Sequence, residues 1–124
     1  PPDLPMHHVV LIEDDALVRM LLAKRLEAAG WSVTALRDAR GLEALLADRP
    51  ADLIVADLGL PYLDGLAVVE GVRARGLSVP VLVLTAYDLP HLEEAVRGAG
   101  ADDLVRKPYD QDDLVERMRR LMAA

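Results

Sequence analysis

Three short segments of this chain are apolar throughout: VVLI at residues 9–12, LIVA at 53–56 and PVLVL at 80–84. A strand with one face in water alternates apolar and polar residues. A strand that stays apolar is covered on both faces, as in a parallel sheet sandwiched by helices. Between these runs the apolar residues recur at helical spacing. Val18, Leu21, Leu22, Leu26 and Ala29 make one stripe, behind Asp15 as N-cap and ahead of Gly30 as stop. Asp38 is expected to cap a helix with Leu42, Leu45 and Leu46 inward, ending before Pro50. Asp64 opens another, with Leu66, Val69 and Val72 inward, and Pro90 fits the first turn of a fourth whose inner side is Leu92, Ala95, Val96 and Ala99. Asp110 caps the last, striped by Leu114, Val115, Met118, Leu121 and Met122. Residues 31–36 and 102–105 supply two further strands.

Strands alternating with helices call for an α/β fold with helices on both faces of a parallel sheet. The three apolar runs are central strands and the other two are edges. Order 2-1-3-4-5 satisfies this and right-handed crossovers, giving a flavodoxin-like doubly wound five-stranded sheet with five helices. With 124 residues the chain is one domain, read as a linker or cloning remnant at 1–8 and the folded unit at 9–124. It has no cysteine, which excludes disulfides, thiolate metal sites and thiol chemistry. A net charge of −7 argues against direct nucleic-acid binding, which needs clustered Lys and Arg. No apolar run approaches the roughly 20 residues that cross a bilayer, and no signal peptide is visible, so the expected location is cytoplasmic.

The strand order brings particular side chains to one rim. The first strand ends on Glu13 and Asp14, the third on Asp57, the fourth on Thr85, and Lys107 follows the fifth. The first and third strands are neighbours, so Asp14 and Asp57 are expected side by side where open α/β sheets bind ligands. Paired carboxylates without His or Cys suit a hard cation such as Mg²⁺, which keeps water and takes a phosphate oxygen. A lysine and a hydroxyl opposite would hold phosphoryl oxygens, with Asp57 a nucleophile toward phosphorus. Each residue also has a plainer reading: Asp57 as a strand-end acid, Asp14 as a solvated turn acid, Thr85 as a strand residue, Lys107 as a surface lysine. Asp38, Asp64 and Asp110 are read as helix caps, and His7, His8 and His91 lie off the rim.

The motifs LIEDD at 11–15, DLGLPYLDG at 57–65, LTA at 84–86 and KP at 107–108, in this order and spacing, resemble the receiver domains of two-component response regulators. The resemblance implies that Asp57 accepts a phosphoryl group from a phosphohistidine on a sensor histidine kinase or phosphotransfer protein. It implies Mg²⁺ (or Mn²⁺) held by Asp14, Asp57 and the Gly59 carbonyl, with Glu13 acting through water. Thr85, the Ala86 N–H and Lys107 would hold the phosphoryl oxygens, and the Lys107-Pro108 peptide would be cis. Thr85 would then draw its loop inward and repack the face of the fourth helix, fifth strand and fifth helix. On this reading the domain is a regulatory switch, catalysing only its own phosphorylation and slow dephosphorylation.

Some positions depart from the family pattern. Leu104, three residues before Lys107, stands where the family usually has an aromatic whose rotamer follows the movement of the threonine. Tyr87 is an aromatic near the site, read as a lid over the acyl phosphate, and Gly59 has no side chain to orient attacking water. Asp103 and Arg117 match positions that pair across a homodimer face in the winged-helix subgroup, while Glu93 replaces a basic residue there. Competing readings are an Mg²⁺-dependent phosphohydrolase with Asp57 as nucleophile, a phosphate-cofactor binder, and a degenerate receiver used for docking. Gly59, the acidic first loop and the intact rim weigh against them in turn.

Overall fold

The computed structural model describes residues 6–57 and 62–123, with the backbone alone at 62–64. In order the elements are β1 (His8–Glu13), α1 (Ala16–Ala28), β2 (Ser32–Leu36), α2 (Leu42–Asp48), β3 (Leu53–Asp57), α3 (Tyr62–Ala74), β4 (Val81–Thr85), α4 (Leu92–Ala99), β5 (Asp103–Arg106) and α5 (Gln111–Ala123). The strands form one parallel sheet in the order β2-β1-β3-β4-β5.

Successive side chains of a strand point to opposite faces, and here each face meets helices. Val10, Ile12, Ile54, Ala56, Val81 and Val83 join a layer with residues of α2, α3 and α4. Val9, Leu11, Leu53, Val55, Leu82 and Leu84 join the other, with Leu22 and Leu26 of α1 and Leu114, Val115 and Met118 of α5. That is why β1, β3 and β4 carry no polar alternation: every residue of all three is buried. The edge strands β2 and β5 keep partly exposed positions.

Several helix details differ from the sequence expectation. Asp15 and Asp110 do cap α1 and α5, accepting from the N–H groups of Val18 and of Asp112 and Asp113. Asp38 does not cap α2. That helix starts behind Gly41, and the Asp38 carboxylate closes the preceding turn on the Arg40 N–H and guanidinium. Pro90 precedes α4 by two residues, because His91 adopts the left-handed conformation (φ 61°) and helical backbone begins only at Leu92. Asp64 is the third residue of α3 rather than its cap. Leu21 and Ala95 are exposed: the buried stripes are Leu22–Leu26 and Leu92–Val96, each at i, i+4, and the flanking residue turns outward.

Far from the rim, Arg73 joins three segments. Its guanidinium donates to the carbonyls of Gly100, Leu77 and Val79 and pairs with Asp102 at 3.0 Å. Gly100 admits this close approach. Its φ is +116°, and a Cβ there would lie 2.7 Å from Arg73 Cγ.

Candidate functional site

The parallel register of β1 on β3 sets Glu13 directly opposite Asp57. Both strands are central, so both carboxyl groups are carried under the rim, with Asp57 fully buried and Glu13 2% exposed. Asp14, one residue on, faces solvent. The buried neighbour of Asp57 is therefore Glu13, and Asp14 stands on the lip above them.

Lys107 enters from the end of β5. Its main-chain N–H donates to the Thr85 carbonyl at 2.8 Å, and the peptide to Pro108 is cis. Its side-chain Nζ lies 2.6 Å from Asp57 Oδ1. Thr85 ends β4, which pairs with β3 on its other side, and its buried Oγ1 accepts from the Tyr87 N–H at 3.0 Å. Ala86 follows at the exposed edge, while Tyr87 is half-buried against the α4-side core. Leu104 is buried in that same core. Gly59 lies outside the described residues.

Crowding acids under a rim changes their acidity. Burial, then the contact with Asp57, pushes Glu13 up to about 8, against the Asp15 N–H and Lys107, which pull it down. Lys107 is partly buried, which would lower it, but Asp57 and then Glu13 raise it above the usual lysine value. Asp57 is thus the main group that holds the ammonium charged, with Glu13 adding to it when ionised.

The donor set also fits a cation. Glu13 Oε1 accepts from the Asp15 N–H at 2.9 Å, but among the described residues Glu13 Oε2 and both Asp57 oxygens are buried without a hydrogen bond. Lys107 touches Oδ1 as an ion pair outside hydrogen-bond geometry. Orphaned buried carboxylate oxygens are costly unless something positive meets them. Oxygen donors with room for water suit Mg²⁺ better than softer metals. Among the described residues no three acids or imidazoles close on a point, so the fit rests on the unpartnered oxygens of Glu13 and Asp57.

Two residues near the rim escaped the sequence reading. The Tyr109 phenol, half-buried beside Lys107-Pro108, is raised by burial and then by Asp57. Arg19, in the first turn of α1, bonds the carbonyls of the acidic turn. A visible signal existed for Arg19: a cation in a first helical turn opposes the helix dipole, so it needs a local reason to be there.

Residues 9–119 match the response regulator receiver domain family. The chain belongs to that family. This receiver domain is 39% identical over 117 residues to the virulence transcriptional regulatory protein PhoP of Salmonella choleraesuis, covering 94% of this chain and 52% of that protein. The chain thus spans about half the length of the curated relatives it matches. Among solved structures it superimposes on the receiver domain of the Francisella response regulator 1452 with a TM-score of 0.86 at 27% identity, covering 94% of this chain and 97% of that one. A putative response regulator from Chloroflexus aurantiacus gives 0.86 at 28% identity, covering 98% and 100%. Receiver domains of this family are regulatory, normally bind Mg²⁺ and interact with histidine kinases. No described helix of this receiver domain is long and apolar enough to cross a membrane.

On the α4–β5–α5 face of the receiver domain, Asp103 pairs with Arg117 at 3.1 Å and with Arg97 at 3.3 Å, and Glu93 pairs with Arg97 at 3.0 Å. The charges expected to meet across a dimer are matched here within one chain.

Proposed function

We propose that this receiver domain takes a phosphoryl group onto Asp57 from the phosphohistidine of a cytoplasmic sensor kinase or phosphotransfer protein, and passes the signal on through α4, β5 and α5. The observation that carries this reading is a fully buried Asp57 opposite Glu13 with the Lys107 ammonium 2.6 Å away. A carboxylate oxygen of Asp57 attacks phosphorus as the P–N bond breaks and its electron pair returns to the imidazole. Asp57 becomes an acyl phosphate. Lys107, already at Asp57 and held charged, neutralises the phosphoryl oxygens, with Thr85 and the Ala86 N–H completing their cradle. Asp14, Asp57, the Gly59 carbonyl and (through water) Glu13 would hold Mg²⁺, which supplies charge neutralisation for the transferring group.

Readout follows from the Thr85 hydroxyl. At rest it accepts from the Tyr87 N–H. Turning toward a phosphoryl group surrenders that bond and frees the loop after β4, so α4 repacks on the sheet. A switch of this kind shifts populations rather than turning over substrate. The face it alters carries the matched charges Glu93, Arg97, Asp103 and Arg117, and re-pairing them between copies would give a homodimer.

Incubation with Mg²⁺ and acetyl phosphate tests the central claim by intact mass. The chain is expected to gain one phosphoryl mass, and Asp57→Asn or EDTA is expected to abolish the gain. Release of phosphate in excess over protein would instead show a phosphohydrolase, and no gain at all would show a docking module. A second measurement addresses lifetime. Tyr87 shields the acyl phosphate and Gly59 orients no water, so Tyr87→Ala combined with Gly59→Asn is expected to shorten the phosphoryl half-life several-fold after donor removal, on the order of 1 kcal/mol in barrier. An unchanged half-life removes the shielding role.

A further inference from the structure

The turn between β1 and α1 is closed by a set of bonds that converge on the acids. The Asp15 N–H donates to Glu13 Oε1 at 2.9 Å, and Asp15 Oδ1 accepts from the Val18 N–H at 3.0 Å. Arg19 reaches back over the same turn: Nη1 donates to the Glu13 carbonyl at 2.8 Å and, more weakly, to the Asp14 carbonyl at 3.4 Å. The chain direction from Glu13 to Arg19 and the rotamer of Glu13 are thereby fixed together. One Glu13 oxygen is held, and the other is buried without a hydrogen bond among the described residues. Arg19 places its positive charge beside the acids while bonding main-chain oxygens only in this turn, so no carboxylate oxygen is consumed by it.

We propose that Arg19 is a positioning residue for the cation site, bracing the Glu13–Asp14 turn so that its carboxylates stand in place before Mg²⁺ arrives. This rests on the reading of the site given above. The inference is sharp because the two consequences of losing Arg19 oppose each other. Removing a nearby positive charge favours cation binding by Coulomb's law. Removing a brace disfavours it, since partners that orient metal ligands typically contribute about 10- to 100-fold in affinity. A brace on the main chain belongs at the lower end of that range.

The test is calorimetric titration of Mg²⁺ into the intact 124-residue chain without phosphodonor, for the wild type, Arg19→Met and Arg19→Lys. Methionine keeps an unbranched apolar stem and loses both charge and donor. Lysine keeps both, and because the two contacts come from one nitrogen, a single ammonium serves for them. Arg19→Met is expected to bind Mg²⁺ about tenfold more weakly, with Arg19→Lys restored to near the wild-type affinity. Equal or tighter binding by a folded Arg19→Met overturns the proposal. So does a lowered melting temperature in EDTA with an unchanged Mg²⁺ dissociation constant, which marks a brace of the fold only. If Arg19→Met does not fold, Arg19→Lys decides: wild-type affinity supports the proposal, and a tenfold loss despite retained charge and donor overturns it. A wild-type chain that binds no Mg²⁺ overturns the reading of the site itself.

Discussion

Lys107→Ala is expected to slow phosphoryl uptake from acetyl phosphate by about 10²–10³-fold, the usual effect of removing one preorganised donor from a developing charge. The geometry makes the expectation specific. Asp57 is fully buried, and the ammonium 2.6 Å away is the cation that meets it among the described residues. Without it, attack would bring a dianionic phosphoryl group onto a carboxylate with only the bound metal to offset the repulsion. The same substitution also acts on the resting fold. Removing one partner of a buried pair costs about 3–5 kcal/mol, and the partial exposure of Lys107 reduces this to about 2 kcal/mol. Time-resolved intact mass reads the first effect and denaturant unfolding the second. Uptake within threefold of wild type would show that Lys107 has no part in transfer.

The second large effect is a pH dependence centred on Glu13. Its carboxyl group titrates near 4.5 when exposed and is pushed up to about 8 by burial and by Asp57 in the folded chain. Between those values the folded chain holds a proton that the unfolded chain has released, so stability falls as pH rises. The contribution is fully present below about 4.5 and is lost as pH passes through about 8. Unfolding in EDTA is expected to show about 4 kcal/mol less stability at pH 8.5 than at pH 5. Glu13→Gln keeps an oxygen for the Asp15 N–H and offers Asp57 an N–H. It is expected to flatten the slope and to raise the melting temperature at pH 8.5. Adding Mg²⁺ to the wild type should flatten it too, because a bound cation takes the place of the proton. A wild-type slope that survives in Glu13→Gln would assign the titration to another group.

Much of the architecture could be read from residue order. Residues 9–12, 53–56 and 80–84 are apolar because both faces of β1, β3 and β4 are covered, and that single fact orders the sheet. Once the order is known, the strand ends name the rim, and Glu13, Asp57 and Lys107 do meet there. What was illegible depends on conformation or on unlabelled partners. The start of α4 was misplaced because one left-handed residue, His91, sets it, and nothing in the residue type demands that. Asp38 looked like a cap, yet an arginine two residues on competes for its carboxylate. Asp103 and Arg117 match positions that pair across a homodimer face, and residue order could not show that within the single chain they also meet each other. Arg19 was visible as a cation at a helix start, but its partners were not, because they are main-chain carbonyls, which every residue carries alike.

The two ends of α4 are held very differently. At its C-terminal end Gly100 closes the helix, Arg73 bonds the Gly100 carbonyl and Arg97 bonds that of Asp102. At its start His91 provides no side-chain capping bond, and the loop behind it is tied by the Tyr87 N–H to Thr85 Oγ1 and by Asp88 to Arg106 at 3.4 Å. An element bonded more heavily at one end than at the other has a ready pivot at the heavier end. In the proposed switch, a displacement of Thr85 would therefore act on the end of α4 that lacks a side-chain cap.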